Sequence, residues 1–347
     1  MIARFAIPFF LVMGFVVVPL LCCLLGRLLL PKKARRVFAL ACTIIIWGAV
    51  AYGMLVGFQQ FQVRYVEFAS SDLPAAFDGY RIVQFTDAHV ASMTGHNQWM
   101  LQRAVDSINA QHADAVVFTG DMQNIQPEEL APQIPYFRQL KARDGVFAVL
   151  GNHDYAVYQT GDEQEKERNC RLTVDAIRQM GFDLLLNELR IIRRDSDSIV
   201  IAGMENWGTT KRMPRRGDVE KTLSGITHHP SSPIPHPSNI SPQPSSITHH
   251  PSSPFIVMLQ HDPTCWREKI LPECNAQLTL SGHTHGGQMS LFGLSPVVLK
   301  YREWGGMTYE GPRAIYVSTG LGALIPFRLG LPGEIVVITL KSKKVKK

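Results

Sequence analysis

Two runs of about twenty residues, 5–25 and 37–58, are nearly free of charge, and each is long enough to cross roughly 30 Å of hydrocarbon as a helix. The connector between them holds Arg27, Lys32, Lys33, Arg35 and Arg36, a cluster normally retained on the cytoplasmic side of a membrane. The pattern predicts a helical hairpin lodged in the lipid bilayer, with everything after Phe58 emerging on the opposite face. That describes an integral cell (inner) membrane protein with an extracytoplasmic domain. A cleaved signal peptide fits less well, because only Arg4 precedes the first run and no small-x-small site follows it.

Beyond the hairpin, short apolar runs alternate with amphipathic stretches. Strands are predicted at 81–86, 115–119 and 146–150, with helices at 98–111 and 127–140, giving β-α-β-α-β order. Further strands are predicted at 199–202, 255–259, 277–280, 314–317 and 335–340. The expected fold class is α/β, a layered arrangement with a mixed sheet or two packed sheets. The chain divides into a membrane anchor over 1–62, an α/β domain over 63–340 and a Lys-rich tail over 341–347. One stretch interrupts the domain: 226–254 is built from Pro, Ser and His and contains the string ITHHPSSP twice. Too few apolar side chains are present there to offset the entropy of ordering, which predicts a disordered insertion. Its histidines, His228, His229, His236, His249 and His250, read as solvated.

Composition changes this picture little; charge removes one function class. The formal charge of +6 arises at the ends of the chain. The first 66 residues carry seven cationic and no acidic side chains and the tail five more lysines, which leaves about −6 between them. A broad cationic face for a phosphate backbone is therefore not expected, nor is nucleic acid expected as a partner. Of the six cysteines, Cys22, Cys23 and Cys42 fall in the apolar runs, and the remaining three, Cys170, Cys265 and Cys274, do not form a disulfide framework. A bridge between Cys265 and Cys274 is possible only in an oxidising compartment, and free thiols are the simpler expectation.

The candidate chemistry sits where strands end. Asp87-Ala88-His89 follows the strand 81–86, Gly120-Asp121 follows 115–119, and Gly151-Asn152-His153-Asp154 follows 146–150. Each motif alone is weak, since a Gly-Asp after a strand is usually a turn. Three consecutive strand ends delivering polar, metal-capable side chains to one edge are harder to dismiss. His261 follows the strand 255–259, and Gly282-His283-Thr284-His285-Gly286-Gly287 follows 277–280. Two histidines spaced by one residue share a face in a regular strand, but in an irregular loop flanked by glycine they can face neighbouring ions. Together the motifs supply three carboxylates, one amide and five imidazoles.

The order Asp-x-His, Gly-Asp, Gly-Asn-His-Asp, His, Gly-His-x-His resembles the calcineurin-like metallophosphoesterase superfamily. The likeness runs over residues 80–340 apart from the insertion, and is strongest to the bacterial membrane-anchored branch, which shares the Gly-His-Thr-His-Gly-Gly-Gln loop. That branch includes phosphodiesterases and relatives of the UDP-diacylglucosamine pyrophosphohydrolases of lipid A synthesis. The resemblance implies two packed mixed β-sheets flanked by helices and a centre of two divalent metal ions. It implies that Asp87, His89 and His285 hold one ion, that Asn152, His261 and His283 hold the other, and that Asp121 bridges them. Ligation by carboxylate and imidazole without thiolate suits Mn²⁺, Fe or Zn²⁺ better than Mg²⁺.

Two such cations acidify a bridging water and clamp phosphate oxygens, so that hydroxide can attack phosphorus in line. His153 is the candidate to stabilise transition-state charge or protonate the leaving oxygen, with Asp154 as a candidate to orient it. Many relatives carry an acidic residue three positions after the bridging Asp. This chain has Asn124, which leaves the partner of His153 open. The expected function is hydrolysis of a phosphodiester, phosphomonoester or pyrophosphate bond, on a substrate that the anchor points to as lipid-linked or envelope-associated. Two alternatives stand beside it: a UDP-2,3-diacylglucosamine pyrophosphohydrolase-like enzyme of lipid A synthesis, and a non-catalytic membrane protein that keeps the metal site for binding.

Overall fold

The computed structural model of the chain describes residues 12–210, 213–227 and 254–343. The start of the first predicted span, most of the insertion with its five histidines, and Lys344, Lys346 and Lys347 of the tail lie outside the described residues.

The chain enters through a π-helical turn, Met13–Val17, into helix α1, Val18–Leu29, and returns through helix α2, Lys32–Leu55. Only Leu30 and Pro31 separate them, both extended, as a residue before proline prefers to be. Helix α2 therefore begins earlier than the apolar pattern predicts. Lys32, Lys33, Arg35 and Arg36 occupy its first turns rather than a loop, because lysine and arginine are good helix formers and Pro31 suits a helix start. The two helices lie against each other: Trp47 Nε1 donates to the carbonyl of Phe15 at 3.0 Å, and their rings are 5.8 Å apart. Among the described residues one helix, Lys32–Gln59, is long and apolar enough to cross a membrane, and Met13–Leu29 is shorter.

Two six-stranded sheets follow. The first contains β1 (Phe61–Ser70), β12 (Gly333–Ser342), β2 (Arg81–Phe85), β3 (Ala115–Phe118), β4 (Gly145–Ala148) and β5 (Asp183–Leu184), in that spatial order. Here β12 runs parallel to β1 and antiparallel to β2, and β2 through β5 are parallel. The second runs β10 (Gly306–Glu310), β11 (Arg313–Val317), β9 (Leu278–Ser281), β8 (Phe255–Leu259), β7 (Asp197–Gly203), β6 (Glu188–Arg194). Its four inner strands are parallel and its two edges antiparallel. The fold is thus α/β with two mixed sheets.

Three apolar layers hold it together. Ile82, Val117, Val149, Ile201, Val257 and Leu280 fill the space between the sheets. Phe85, Phe118 and Leu150 turn to the other side of the first sheet, where they pack against helix α3, Trp99–Asn109, and helix α4, Glu163–Gln179. Trp266 and Val317 lie outside the second sheet beside helix α5, Val219–Thr227. The inner parallel strands β3 and β8 are buried along their whole length, which is why they read as continuous apolar runs.

One predicted element does not form. The helix expected at 127–140 is instead three short turns, Pro127–Glu129, Ala131–Gln133 and Ile134–Phe137. Pro132 and Pro135 each remove a donor that a continuous helix needs. Strand β1 and the long polar helix α4 lie outside the predicted elements. Helix α4 buries only Thr173, Ala176 and Ile177, too thin a stripe to stand out in the sequence.

Candidate functional site

Strands β2, β3 and β4 of the first sheet and β8 and β9 of the second all end at one edge of the molecule. Their following loops carry Asp87 and His89, Asp121, Asn152 with His153 and Asp154, His261, and His283 with His285. Five of these residues, Asp87, His89, Asp121, His283 and His285, hold positive φ between 41° and 74°, a left-handed backbone that side chains other than glycine rarely adopt. Such strain collects at functional sites, where surrounding structure over-determines it. Gly120 is required beside them: its φ is +98°, and a Cβ there would stand 2.7 Å from Nδ1 of His261.

Two groups of three donors result, and a third, His89, Asp121 and His153, straddles them. The ligand atoms of Asp87, His89 and His285 lie within 4.8 Å of one another, as do those of Asp121, His261 and His283. In the first, Nε2 of His89 and of His285 approach to 3.1 Å, and Asp87 Oδ1 stands 3.2 Å from His285 Nε2. In the second, Asp121 Oδ2 is 3.2 Å from His261 Nε2, while His283 Nδ1 lies 3.3 Å from His261 Nε2 and 2.8 Å from Asn152 Oδ1. The two groups meet at Asp121, whose Oδ2 is also 3.7 Å from His89 Nε2. The seven side chains that the resemblance names as ligands are thus brought together.

The arrangement fits a pair of cations. Asp87 Oδ1 is buried with no hydrogen-bond partner, and imidazole nitrogens at 3.1 Å repel unless a proton or a cation lies between them. Ring orientation is fixed from behind, as is usual for metal-binding histidines. His261 Nδ1 donates to the carbonyl of Thr119 at 2.7 Å, which turns Nε2 inward. His283 does the reverse, placing Nε2 against the Tyr301 hydroxyl at 2.9 Å and 3.7 Å from Asp262 Oδ2, so that Nδ1 faces the cluster. Burial drives His89 down to about 3, which keeps a neutral ring with a free lone pair. Burial likewise raises Asp87, up to about 7, against the pull of His261.

The expected pairing of Asp154 with His153 is corrected by the geometry. Asp154 is fully buried and gives both oxygens to the main chain: Oδ2 accepts from the N–H groups of Asp121 and Gly151, and Oδ1 from those of Met122 and Gln123. It ties two ligand loops together and does not touch the imidazole. His153 is oriented instead by the carbonyl of Asn124, which accepts from Nδ1 at 2.6 Å. This frees Nε2, and the ring stands 4.3 Å from that of Tyr158. The Asn124 side chain is engaged elsewhere, accepting from the N–H of Ala91.

Tyr301, Tyr158 and Asp262 support these side chains from outside the sequence motifs. Asp262 directly follows His261 and Tyr158 lies four residues after Asp154, but neither belongs to a motif of its own, and Tyr301 lies outside every motif. Cys265 and Cys274 are free thiols.

Comparison with known proteins agrees with this geometry. A model of the family "Calcineurin-like phosphoesterase" matches residues 80–287. A protein of Bacillus subtilis, "Uncharacterized metallophosphoesterase YkuE", is 30% identical over 331 residues, covering 90% of this chain and 99% of that one. "Transmembrane protein with metallophosphoesterase domain" of Danio rerio is 29% identical over 88% of this chain, which spans 63% of that protein's length. "UDP-2,3-diacylglucosamine pyrophosphatase LpxG" of Chlamydia trachomatis is 26% identical, over 77% of this chain and 86% of its own.

Proposed function

The chain belongs to the calcineurin-like phosphoesterase family and is a metal-dependent phosphoric ester hydrolase; on that premise we propose that it is a membrane-anchored enzyme with two divalent metal ions that cleaves a phosphate ester or anhydride. Asp87, His89 and His285 hold one ion, Asn152, His261 and His283 hold the other, and Asp121 contributes to both. The observation that carries this reading is the position of Asp121 Oδ2, within 3.7 Å of one histidine from each group.

When bound, the cations supply Lewis acidity, generating a nucleophile from water near neutral pH and polarising the phosphoryl group. The protein's part is positional. Asp154 fixes the loops of Asp121 and Asn152, and Thr119 and Tyr301 fix the rings of His261 and His283. His153, held through Nδ1, presents Nε2 to the negative charge that builds on phosphorus oxygens and to the departing group, a role that suits an imidazole.

The cationic start of helix α2 supports an active site on the extracytoplasmic side. Helix α2, with 24 residues, is roughly 36 Å long at 1.5 Å per residue. Its cationic start therefore lies a bilayer's thickness from its domain end, and retention of that start in the cytoplasm leaves the active site outside. A second reading follows from the likeness to the Chlamydia trachomatis pyrophosphatase: cleavage of a pyrophosphate in a nucleotide-linked lipid. It requires the opposite orientation.

The full chain in detergent, given a bis-aryl phosphate and Mn²⁺, is expected to turn over. Asp121→Asn should lose both metal and activity. His153→Ala should keep its metal and fall by roughly 10²–10⁴ in rate, the usual worth of a positioned acid or base. Absence of turnover with any divalent metal would favour a protein that only binds metal.

A further inference from the structure

A cavity of about 430 Å³ opens over Asp121, His153 and His283 and continues away from them. Its floor is polar, but its far wall is not made by the α/β domain alone. Met13, Val50 and Met54 of the two N-terminal helices close it on one side and Ile325 with Phe327 on the other. A substrate made only of polar groups gains nothing from such a wall, whereas an apolar chain lying along it is removed from water or lipid into close contact.

The wall is a fixed part of the site. The N–H of Arg328 donates to the carbonyl of Gly53 at 3.0 Å. A side chain on Gly53 would overlap the Phe327 ring, and one on Gly57 the carbonyl oxygen of Arg328. Arg328 is anchored in turn, its buried guanidinium donating to the carbonyls of Thr319, Gly320 and Gly322. Val50 lies five residues from the domain end of helix α2, about 8 Å along the axis, a depth where headgroups give way to acyl chains.

A separate observation suits a mouth that faces a bilayer. Between residues 291 and 299, Leu291, Phe292, Leu294, Val298 and Leu299 are exposed, Phe292 completely. Contiguous apolar exposure of this kind marks an interaction surface. The loop leaves the domain beside the docked hairpin, since Ser290 N–H bonds to the carbonyl of Leu329 and the Gln288 amide to those of Ile325 and Phe327.

Resting on the phosphoesterase reading, we propose that the substrate is a membrane amphiphile. Its phosphate ester lies over Asp121, His153 and His283, and its long apolar chain runs between the N-terminal helices and the 325–327 segment, entering sideways from the leaflet into which the 291–299 loop dips.

The test uses the full chain in mixed micelles with Mn²⁺ and two chromogenic diesters that share an aryl phosphate and differ in the second alcohol, ethyl or hexadecyl. The expected result is a kcat/KM higher for the hexadecyl ester, and a fall of about tenfold in the hexadecyl-to-ethyl ratio in Val50→Trp and in Met54→Trp, the worth of roughly two buried methylenes. Partition of the esters into the micelle is common to all variants, so the ratio reads the cavity. Equal efficiency for both esters, or a ratio unmoved by both tryptophans, overturns the amphiphile alone. Hydrolysis of neither ester with any divalent metal overturns the phosphoesterase reading itself.

Discussion

Oδ2 of Asp121 stands 3.2 Å from Nε2 of His261, and both side chains are withdrawn from water. Burial opposes charge on the imidazole, but the carboxylates of Asp121 and Asp87 outweigh it and push His261 up to about 10. Burial also acts against the Asp121 carboxylate, yet His261 and His153 hold it well below the usual range. In the metal-free protein each group therefore favours the charged form of the other, imidazolium beside carboxylate, at the proposed centre.

A cation that takes Nε2 of His261 must expel its proton. Since the folded-state value lies above neutrality, raising the pH toward it removes the competitor, and affinity should climb by up to about tenfold per pH unit while one proton is displaced. Calorimetric titration of the metal-free chain with Mn²⁺, in buffers of different ionisation enthalpy, measures both affinity and proton release. An affinity that is flat between about pH 6 and pH 8 contradicts the assignment of His261 as a ligand.

Asp154 carries a different expectation. In Asp154→Asn one oxygen remains to serve four main-chain N–H groups, and an amide N–H₂ faces the other two. Two orphaned buried donors cost roughly 2–6 kcal/mol. The variant should melt well below the parent and bind metal less tightly, because the Asp121 and Asn152 loops lose their tie. Unchanged melting and full metal content would show that the carboxylate is dispensable.

Orientation in the membrane is checked by fusing reporters after Phe58. An alkaline phosphatase reporter is expected to be active there and a cytoplasm-dependent fluorescent reporter dark. Replacing Lys32, Lys33, Arg35 and Arg36 by glutamine should mix the two populations, since these cations bias insertion. A fluorescent signal in the parent sequence would reverse the placement and bring the nucleotide-linked lipid reading forward.

The sequence announces the proposed ligand set because each member follows an apolar run buried in a sheet, so strand and loop are legible together. What it conceals is main-chain chemistry. Nothing at position 124 signals that its carbonyl holds the His153 ring, and the adjacency of Asp154 to His153 conceals a side chain turned to the backbone. Tyr301 and Arg328 escape for another reason, being brought in by strands β9 to β12 from outside every motif. The helix expected at 127–140 is lost to prolines whose spacing imitates an amphipathic period.

Strand β1 follows helix α2 and, among the described residues, pairs with β12 alone, from Phe61 against Gly333 to Ser70 against Ser342. Because β12 also separates β1 from β2, the first sheet cannot join β1 to its other strands until Gly333–Ser342 has left the ribosome. Strands β2 to β5 and the second sheet can pair without it, whereas β1 waits for β12, and loop closure over such a span is slow. The earliest strand of the domain is thus among the last to be paired, and its unpaired edge stays exposed through that interval.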